Sequence, residues 1–286
     1  MIITAPAKIN IGLKVINRRD DGFHNLETIF YPVNLKDEIS VNISQAKRNT
    51  NSVIIKTNNK IIPTDKTNLC FKVIESFFRT FSIKEFFVIN VSVNKNIPVG
   101  GGLGGGSSDA AVILKYLTKF FNISVAEKKK EILNIALSVG SDVPFFLINK
   151  PCFAQSRGEI ITKLDNFTLD KYDILLVNPN LHVSTKWAFE NIDLKEGIGT
   201  ASGIANIREF NSSVFDLLEN DFEKVVFEKY SELELIKTEL KNFGAEFSSM
   251  SGSGATMYGL FKKENRDSVK KAFEYYKTKN YFVFIS

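Results

Sequence analysis

Six glycines within seven positions, Gly100-Gly101-Gly102-Leu103-Gly104-Gly105-Gly106, stand directly before Ser107 and Ser108. Lacking Cβ atoms, such a run lets a ligand reach the backbone and lets several N–H groups converge on one point, which favours an anion. The residues that follow, Ser107-Ser108-Asp109-Ala110-Ala111-Val112-Ile113-Leu114, read as a small, polar helix start and then an apolar helix interior. A helix opening there adds unpaired first-turn N–H groups and the positive end of the helix dipole, worth about 0.3–1 kcal/mol. Phosphate is the expected guest. The spacing Gly100-x-Gly102-x-x-Gly105 fits a dinucleotide fingerprint, but Glu127, which stands where its acidic residue belongs, is expected inside a helix. The P-loop pattern fails because no lysine precedes Ser107, and the chain has no H-R-D catalytic loop.

Chemistry at a phosphate site calls for a group that can accept a proton and for positive charge beside the phosphoryl oxygens. Asp142, after an expected helix end and before Val143-Pro144-Phe145-Phe146, offers a carboxylate among apolar neighbours. Lys8, in Ala5-Pro6-Ala7-Lys8-Ile9-Asn10-Ile11-Gly12, offers an ammonium in a small, apolar extended segment. Each has a plainer reading: an Asp near a helix terminus is commonly a cap or a solvated turn residue, and a strand lysine commonly reaches out to solvent.

The elements that must position these groups follow from periodicity. Strands are expected at Ile9 to Ile16, Glu38 to Ile43, Ser52 to Lys56 and Phe86 to Val93, with an amphipathic helix at about Thr67 to Phe81. The glycine run thus sits between a strand and a helix. A helix from about Val125 to Val139 closes at Gly140 as a C′ glycine. Beyond about residue 165 the pattern restarts with a strand at Asp173 to Val177 and helices near Ser184 to Glu190, Ser213 to Leu218 and Glu232 to Asn242. Further strands and a final helix complete a second α+β lobe.

The chain has 286 residues, 44% of them hydrophobic, enough for a sizeable core, and no internal repeat. Its net charge of +5 is spread without a basic run, which argues against nucleic acid while suiting an anionic metabolite. Cys70 and Cys152 lie far apart in apolar contexts and read as reduced core residues. No leader pattern and no apolar run of roughly 18 residues is visible, so a cytoplasmic protein without a membrane span is expected.

The segment Pro98-Val99-Gly100-Gly101-Gly102-Leu103-Gly104-Gly105-Gly106-Ser107-Ser108 resembles the central motif of the galactokinase, homoserine kinase, mevalonate kinase and phosphomevalonate kinase superfamily. That resemblance implies a two-lobed α+β fold, with an N-terminal ATP-binding domain over 1–163 and a ferredoxin-like C-terminal domain over 164–286. Within the superfamily, Pro6-Ala7-Lys8-Ile9-Asn10 and Gly140-Ser141-Asp142-Val143-Pro144-Phe145-Phe146 are similar to motifs of the diphosphocytidyl methylerythritol kinase family. So are Arg18-Arg19-Asp20-Asp21-Gly22-Phe23-His24, Val183-Ser184-Thr185-Lys186-Trp187-Ala188-Phe189, Asn220-Asp221-Phe222-Glu223 and Met250-Ser251-Gly252-Ser253-Gly254-Ala255-Thr256.

By that resemblance Pro98 through Ser108 bind ATP, Asp142 is the general base and Lys8 polarises the attacking hydroxyl. Asn10, Phe23, His24, Thr185 and Phe189 bind the substrate, a cytidine diphosphate sugar-alcohol phosphorylated on its 2-hydroxyl for non-mevalonate isoprenoid synthesis. Phe23 stands where the family usually has tyrosine and lacks its phenolic hydroxyl. Mg²⁺ is expected with ATP, Ser108 being the one ligand suggested and the other metal ligands unknown. No nucleic-acid or membrane partner is expected, and the oligomeric state is left open. The alternatives are a kinase for another small alcohol and a silent nucleotide-binding relative. Arg18 to His24 speaks against the first, and the presence of both Lys8 and Asp142 against the second.

Overall fold

The computed structural model describes residues 2–47, 49–192 and 203–286. In chain order these form β1 (Ile2–Arg18), β2 (His24–Gln45), β3 (Ser52–Thr57), α1 (Leu69–Phe81), β4 (Phe87–Asn94), α2 (Gly105–Phe120), α3 (Lys129–Val139) and α4 (Val143–Ile148). There follow β5 (Cys152–Ser156), β6 (Ile160–Lys163), β7 (Tyr172–Asn178), α5 (Thr185–Asn191), α6 (Phe222–Lys229), α7 (Ser231–Asn242), β8 (Phe247–Met250), β9 (Met257–Lys262), α8 (Arg266–Thr278) and β10 (Phe282–Ile285). The chain is therefore α+β.

Two compact units interleave along the sequence. The first holds residues 1–7, 34–99 and 104–149, and the second 8–33, 100–103 and 150–286. In the first unit β2 pairs antiparallel with β4 from Glu38↔Asn94 to Gln45↔Phe87, and β3 pairs parallel with β4. From Val33 to Asn42 the strand alternates buried and exposed residues, which places Asp37 on the same buried face as Leu35, Ile39 and Val41. Cys70, Val73, Ile74 and Phe77 of α1 join Ile113, Leu114 and Leu117 of α2 among the buried residues. Asn68 caps α1 by accepting from the Cys70 N–H at 2.7 Å. At the far end Phe77, Phe78, Phe81, Phe87 and Phe121 form a chain of ring contacts.

The second unit contains the pairing of β2 with β5 and of β5 with β6, both antiparallel. It also holds a four-stranded antiparallel sheet in the order β10-β7-β9-β8. The core of this unit gathers Leu13, Val15, Leu175, Val177, Phe222, Leu240, Met257 and Tyr276.

The structure amends several expectations. The third helix starts at Lys129, so Glu127 lies in a turn rather than a helix. Gly140 caps that helix, donating to Ala136 O at 3.2 Å, but its φ of 176° is ordinary extended backbone. The segment expected as a helix near Ser213 to Leu218 is a 3-10 turn over Ser212–Leu217, and the chain ends on β10, a strand absent from the periodicity reading. Both cysteines are free and buried, and burial pushes both thiols above their ordinary range, Cys152 to about 11. Among the described residues no helix is long and apolar enough to cross a membrane.

Candidate active site

In the second unit, β1 is buried continuously from Ala7 to Leu13, so Lys8 does not reach solvent as a half-exposed strand lysine would; it is 4% exposed. Its ammonium donates to Asn10 Oδ1 at 2.5 Å and lies 5.0 Å from the centre of the Phe30 ring. Asn10 in turn donates through Nδ2 to Thr28 Oγ1 at 3.0 Å, and Thr28 donates to Gly12 O at 2.6 Å. The β1 backbone also reaches the glycine run, because Lys8 N–H donates to Leu103 O at 3.0 Å.

Gly100, Gly102 and Gly104 all have positive φ, at 69°, 75° and 70°. A Cβ on Gly102 would stand 1.9 Å from Ser251 O, and one on Gly100 2.6 Å from His182 Nδ1. The carbonyls of Gly101, Gly102 and Leu103 accept from Thr256 N–H, Ser251 Oγ and Lys8 N–H respectively. Among the described residues, the N–H groups of Gly100 to Gly104 donate to no acceptor. One side of the strap is thus anchored while its donors remain available to an anion.

The continuation of the run belongs to the first unit. Gly105 and Gly106 are already helical, with Gly104 as the N-cap of α2 and no side-chain cap, so the loop is shorter than its glycine content suggests. The hydroxyl of Ser108 is buried and has no hydrogen-bond partner among the described residues. Beside it lies a buried ionic group that the sequence reading missed. Lys95 ion-pairs with Asp37 and, at 2.7 Å, with Asp109, and Asp37 also accepts from the Asn96 and Ile97 N–H groups. Lys95 Nζ sits 3.1 Å from where a Cβ on Gly105 would stand, adding positive charge at the first turn of α2. Burial pulls Lys95 down, but the two carboxylates outweigh it and its pKa is raised. Burial also raises Asp109, against the pull of Lys95. The available signal was a lysine set between an alternating strand and the glycine run, with an acid on the buried face of β2.

Asp142 is the N-cap residue of α4, half-buried, with Pro144 in the first turn, and its carboxylate makes no capping bond. The reading of that residue as a side-chain cap does not hold, while its place in a turn before α4 agrees with the other plain reading, a turn residue.

The turn between β1 and β2 closes with Arg19 N–H donating to Phe23 O at 2.8 Å, and Gly22 supplies its φ of 82°. Arg19 braces it, donating to Ser156 Oγ at 2.7 Å and Asn25 Oδ1 at 3.1 Å while pairing with Asp21. The braced turn presents Phe23, 51% exposed, under the Arg157 guanidinium at 4.7 Å. His24 stacks on Phe189, centroids 4.6 Å apart and planes 15° from parallel. Phe189 also meets Phe222 edge-on at 4.8 Å. Of the expected binding residues, His24 and Phe189 therefore touch each other, while Phe23 faces a different neighbour. Burial, aided by Arg18, lowers the His24 pKa. Thr185 Oγ1 bonds Ser253 Oγ at 2.8 Å, joining the start of α5 to the second glycine loop.

Comparison with known proteins bears on the family and the fold. Residues 68–150 match the GHMP kinases N terminal domain, and residues 200–278 match the GHMP kinases C terminal family. A 4-diphosphocytidyl-2-C-methyl-D-erythritol kinase of Azobacteroides pseudotrichonymphae genomovar. CFP2 is 40% identical over 93% of this chain and 95% of its own length. One from Clostridium botulinum (strain Alaska E43 / Type E3) is 38% identical over 100% of this chain and 99% of its own. A crystal structure of 4-(cytidine 5'-diphospho)-2C-methyl-D-erythritol kinase superposes with a TM-score of 0.79 at 27% identity, covering 100% of this chain and 98% of that one. Mevalonate kinase from Methanococcus jannaschii shares the fold, with a TM-score of 0.71 at 17% identity over 100% and 97% of the two chains.

Proposed function

The chain belongs to the 4-diphosphocytidyl-2-C-methyl-D-erythritol kinases within the GHMP kinases, and from that premise we propose how its own residues divide the reaction. It is a kinase of isoprenoid biosynthesis that phosphorylates 4-diphosphocytidyl-2-C-methyl-D-erythritol with ATP, on the 2-hydroxyl. The observation that carries the reading is the strap Gly100 to Gly104, whose Gly101, Gly102 and Leu103 carbonyls are anchored and whose N–H groups are unclaimed among the described residues. Backbone donors fixed in advance stabilise charge on transferring phosphoryl oxygens without reorganising during the step.

In this reading Pro98 through Ser108 hold the ATP phosphates, and the Lys95 ammonium adds positive charge at the first turn of α2. Asp142 accepts the proton of the 2-hydroxyl, a carboxylate not spent on capping α4. Lys8 orients and polarises that hydroxyl, and its burial in β1 together with its bond to Asn10 limits the positions its ammonium can take. Phe23 offers a ring for stacking on the base and His24 and Phe189 a second aromatic surface, with Asn10 and Thr185 binding the polar remainder of the substrate. Mg²⁺ supplies charge neutralisation across the ATP phosphates when bound. The Ser108 hydroxyl, buried and without a partner among the described residues, fits as a ligand to it. Residues 1–163 are proposed as the ATP-binding domain and 164–286 as the C-terminal domain, acting in the cytoplasm on a small-molecule substrate.

The test is ADP release by the purified protein with ATP and Mg²⁺, comparing the cytidine substrate with mevalonate, homoserine and galactose. Turnover is expected with the cytidine substrate alone, and Asp142→Asn is expected to lower kcat by about 10²–10⁴-fold. Preference for another alcohol, or full activity in the variant, would refute the assignment.

A further inference from the structure

The strap and the second glycine loop meet at one side chain. Ser251 is fully buried; its hydroxyl donates to Gly102 O at 2.9 Å and accepts from Asn10 N–H at 3.2 Å. Donating one way and accepting the other is within reach of a hydroxyl and beyond Ala. The Ser251 backbone is itself held. Asn220 Nδ2 donates to Met250 O at 2.7 Å and Gly252 O at 2.8 Å, and Ser251 N–H donates to Thr256 O at 2.9 Å. Ser251 O, which accepts from Gly254 N–H at 3.0 Å, also occupies the space where a Gly102 Cβ would be, so the serine bonds Gly102 through its hydroxyl and leaves no room there for a side chain.

A trans peptide points its carbonyl and its N–H in opposite directions. The only cis peptide among the described residues is Gly254–Ala255. Tying the Gly102 carbonyl to Ser251 therefore turns the Leu103 N–H the other way. Thr256 N–H at Gly101 O does the same for the Gly102 N–H, and Lys8 N–H at Leu103 O for the Gly104 N–H. Of the three anchors, two are backbone groups and Ser251 alone is a side chain. In a loop of positive-φ glycines a released peptide is free to rotate, and its carbonyl would then face the anion that its N–H should meet.

We propose that Ser251 is a positioning residue that locks the Gly102–Leu103 peptide with its N–H toward the bound phosphates and fastens the strap to the strand bearing Lys8 and Asn10. This rests on the reading of the strap as a phosphate site. Ser251 touches no reacting atom; it acts through Gly102 and Asn10.

Ser251→Ala is expected to weaken binding of a non-hydrolysable ATP analogue, measured by calorimetry, by about tenfold, as for loss of one hydrogen bond to a charged group. It is also expected to lower kcat by up to about 10²-fold through misplacement of the phosphates, and to speed amide exchange at Asn10. Ser251→Thr, which retains a hydroxyl, should restore all three. A residue of merely structural importance would lower the melting temperature and leave the dissociation constant of the folded fraction unchanged; that result overturns the proposal, as does failure of threonine to rescue. If Ser251→Ala does not fold, Ser251→Cys, slightly larger and a much weaker donor, fills the site and is expected to show the same loss of affinity. Because analogue binding is read without an acceptor alcohol, a wrong substrate assignment leaves this test intact, whereas a wild-type protein that binds no nucleotide refutes both.

Discussion

Two glycine-rich loops in this protein have opposite hydrogen-bonding economies. Ser251 to Thr256 is buried at every residue, and its groups are claimed by Asn220, Thr185, Asn178 and its own backbone. Gly100 to Ser108, a loop running into the first turn of α2, is exposed at Gly100 and Gly106; among the described residues the N–H groups of its first five residues donate to no acceptor and its last hydroxyl, buried, has no partner. Glycine content alone does not distinguish a frame from a cradle. What separates them is how many polar groups the surrounding structure has already satisfied, because an unmet buried donor or acceptor costs about 1–3 kcal/mol and persists only where something compensates.

The contrast is sharpest when one side chain is removed beside each loop: Asn220, which holds the second loop from outside, and Ser108, in the first turn of α2. Asn220→Ala takes two bonds from the frame and leaves the Met250 and Gly252 carbonyls unpaired, so a stability loss of about 2–3 kcal/mol is expected in denaturant unfolding. A loss below about 0.5 kcal/mol would mean the second loop is not held this way. Ser108→Ala should do the reverse: no loss of stability, since the hydroxyl has no partner to forfeit, with kcat/KM for Mg²⁺–ATP down about 10–100-fold. Unimpaired turnover, or clear destabilisation, would remove the distinction between the loops.

The smallest expected effect concerns the aromatic pair. His24 has its folded pKa lowered, chiefly by burial, so its contribution to stability is fully present above the unfolded value of about 6.5 and fades as pH falls through the folded value. The KM for the cytidine substrate should therefore stay flat from pH 8 to below 6.5 and rise only in more acid solution. A rise centred at or above pH 6.5 would show that His24 is not held neutral against Phe189.

Much of this was legible beforehand, for identifiable reasons. Alternation marked β2 and β4 within a residue or two where they pair, and the abrupt change from glycines to Ser107-Ser108-Asp109 announced α2. The helix start was read too late, because Gly105 and Gly106 look like loop in one dimension and are helical once Lys95 and Leu69 pack near them. The β10 strand was missed because four residues at a chain end carry little periodicity; its identity comes from pairing with β7, a partner about 100 positions away.

The sequence by itself determined the α+β class, the glycine loop ahead of a helix, the singling out of Lys8 and Asp142, and the family to which these motifs point. Those are local matters of residue type, spacing and order. Tertiary structure decided which polar groups are spent. It buried Lys95 between Asp37 and Asp109, turned His24 onto Phe189, and brought Ser251 across 149 positions to Gly102. Hydrogen bonds and ion pairs of that kind depend on distances that chain connectivity does not set, so they exist only once packing has brought the partners together.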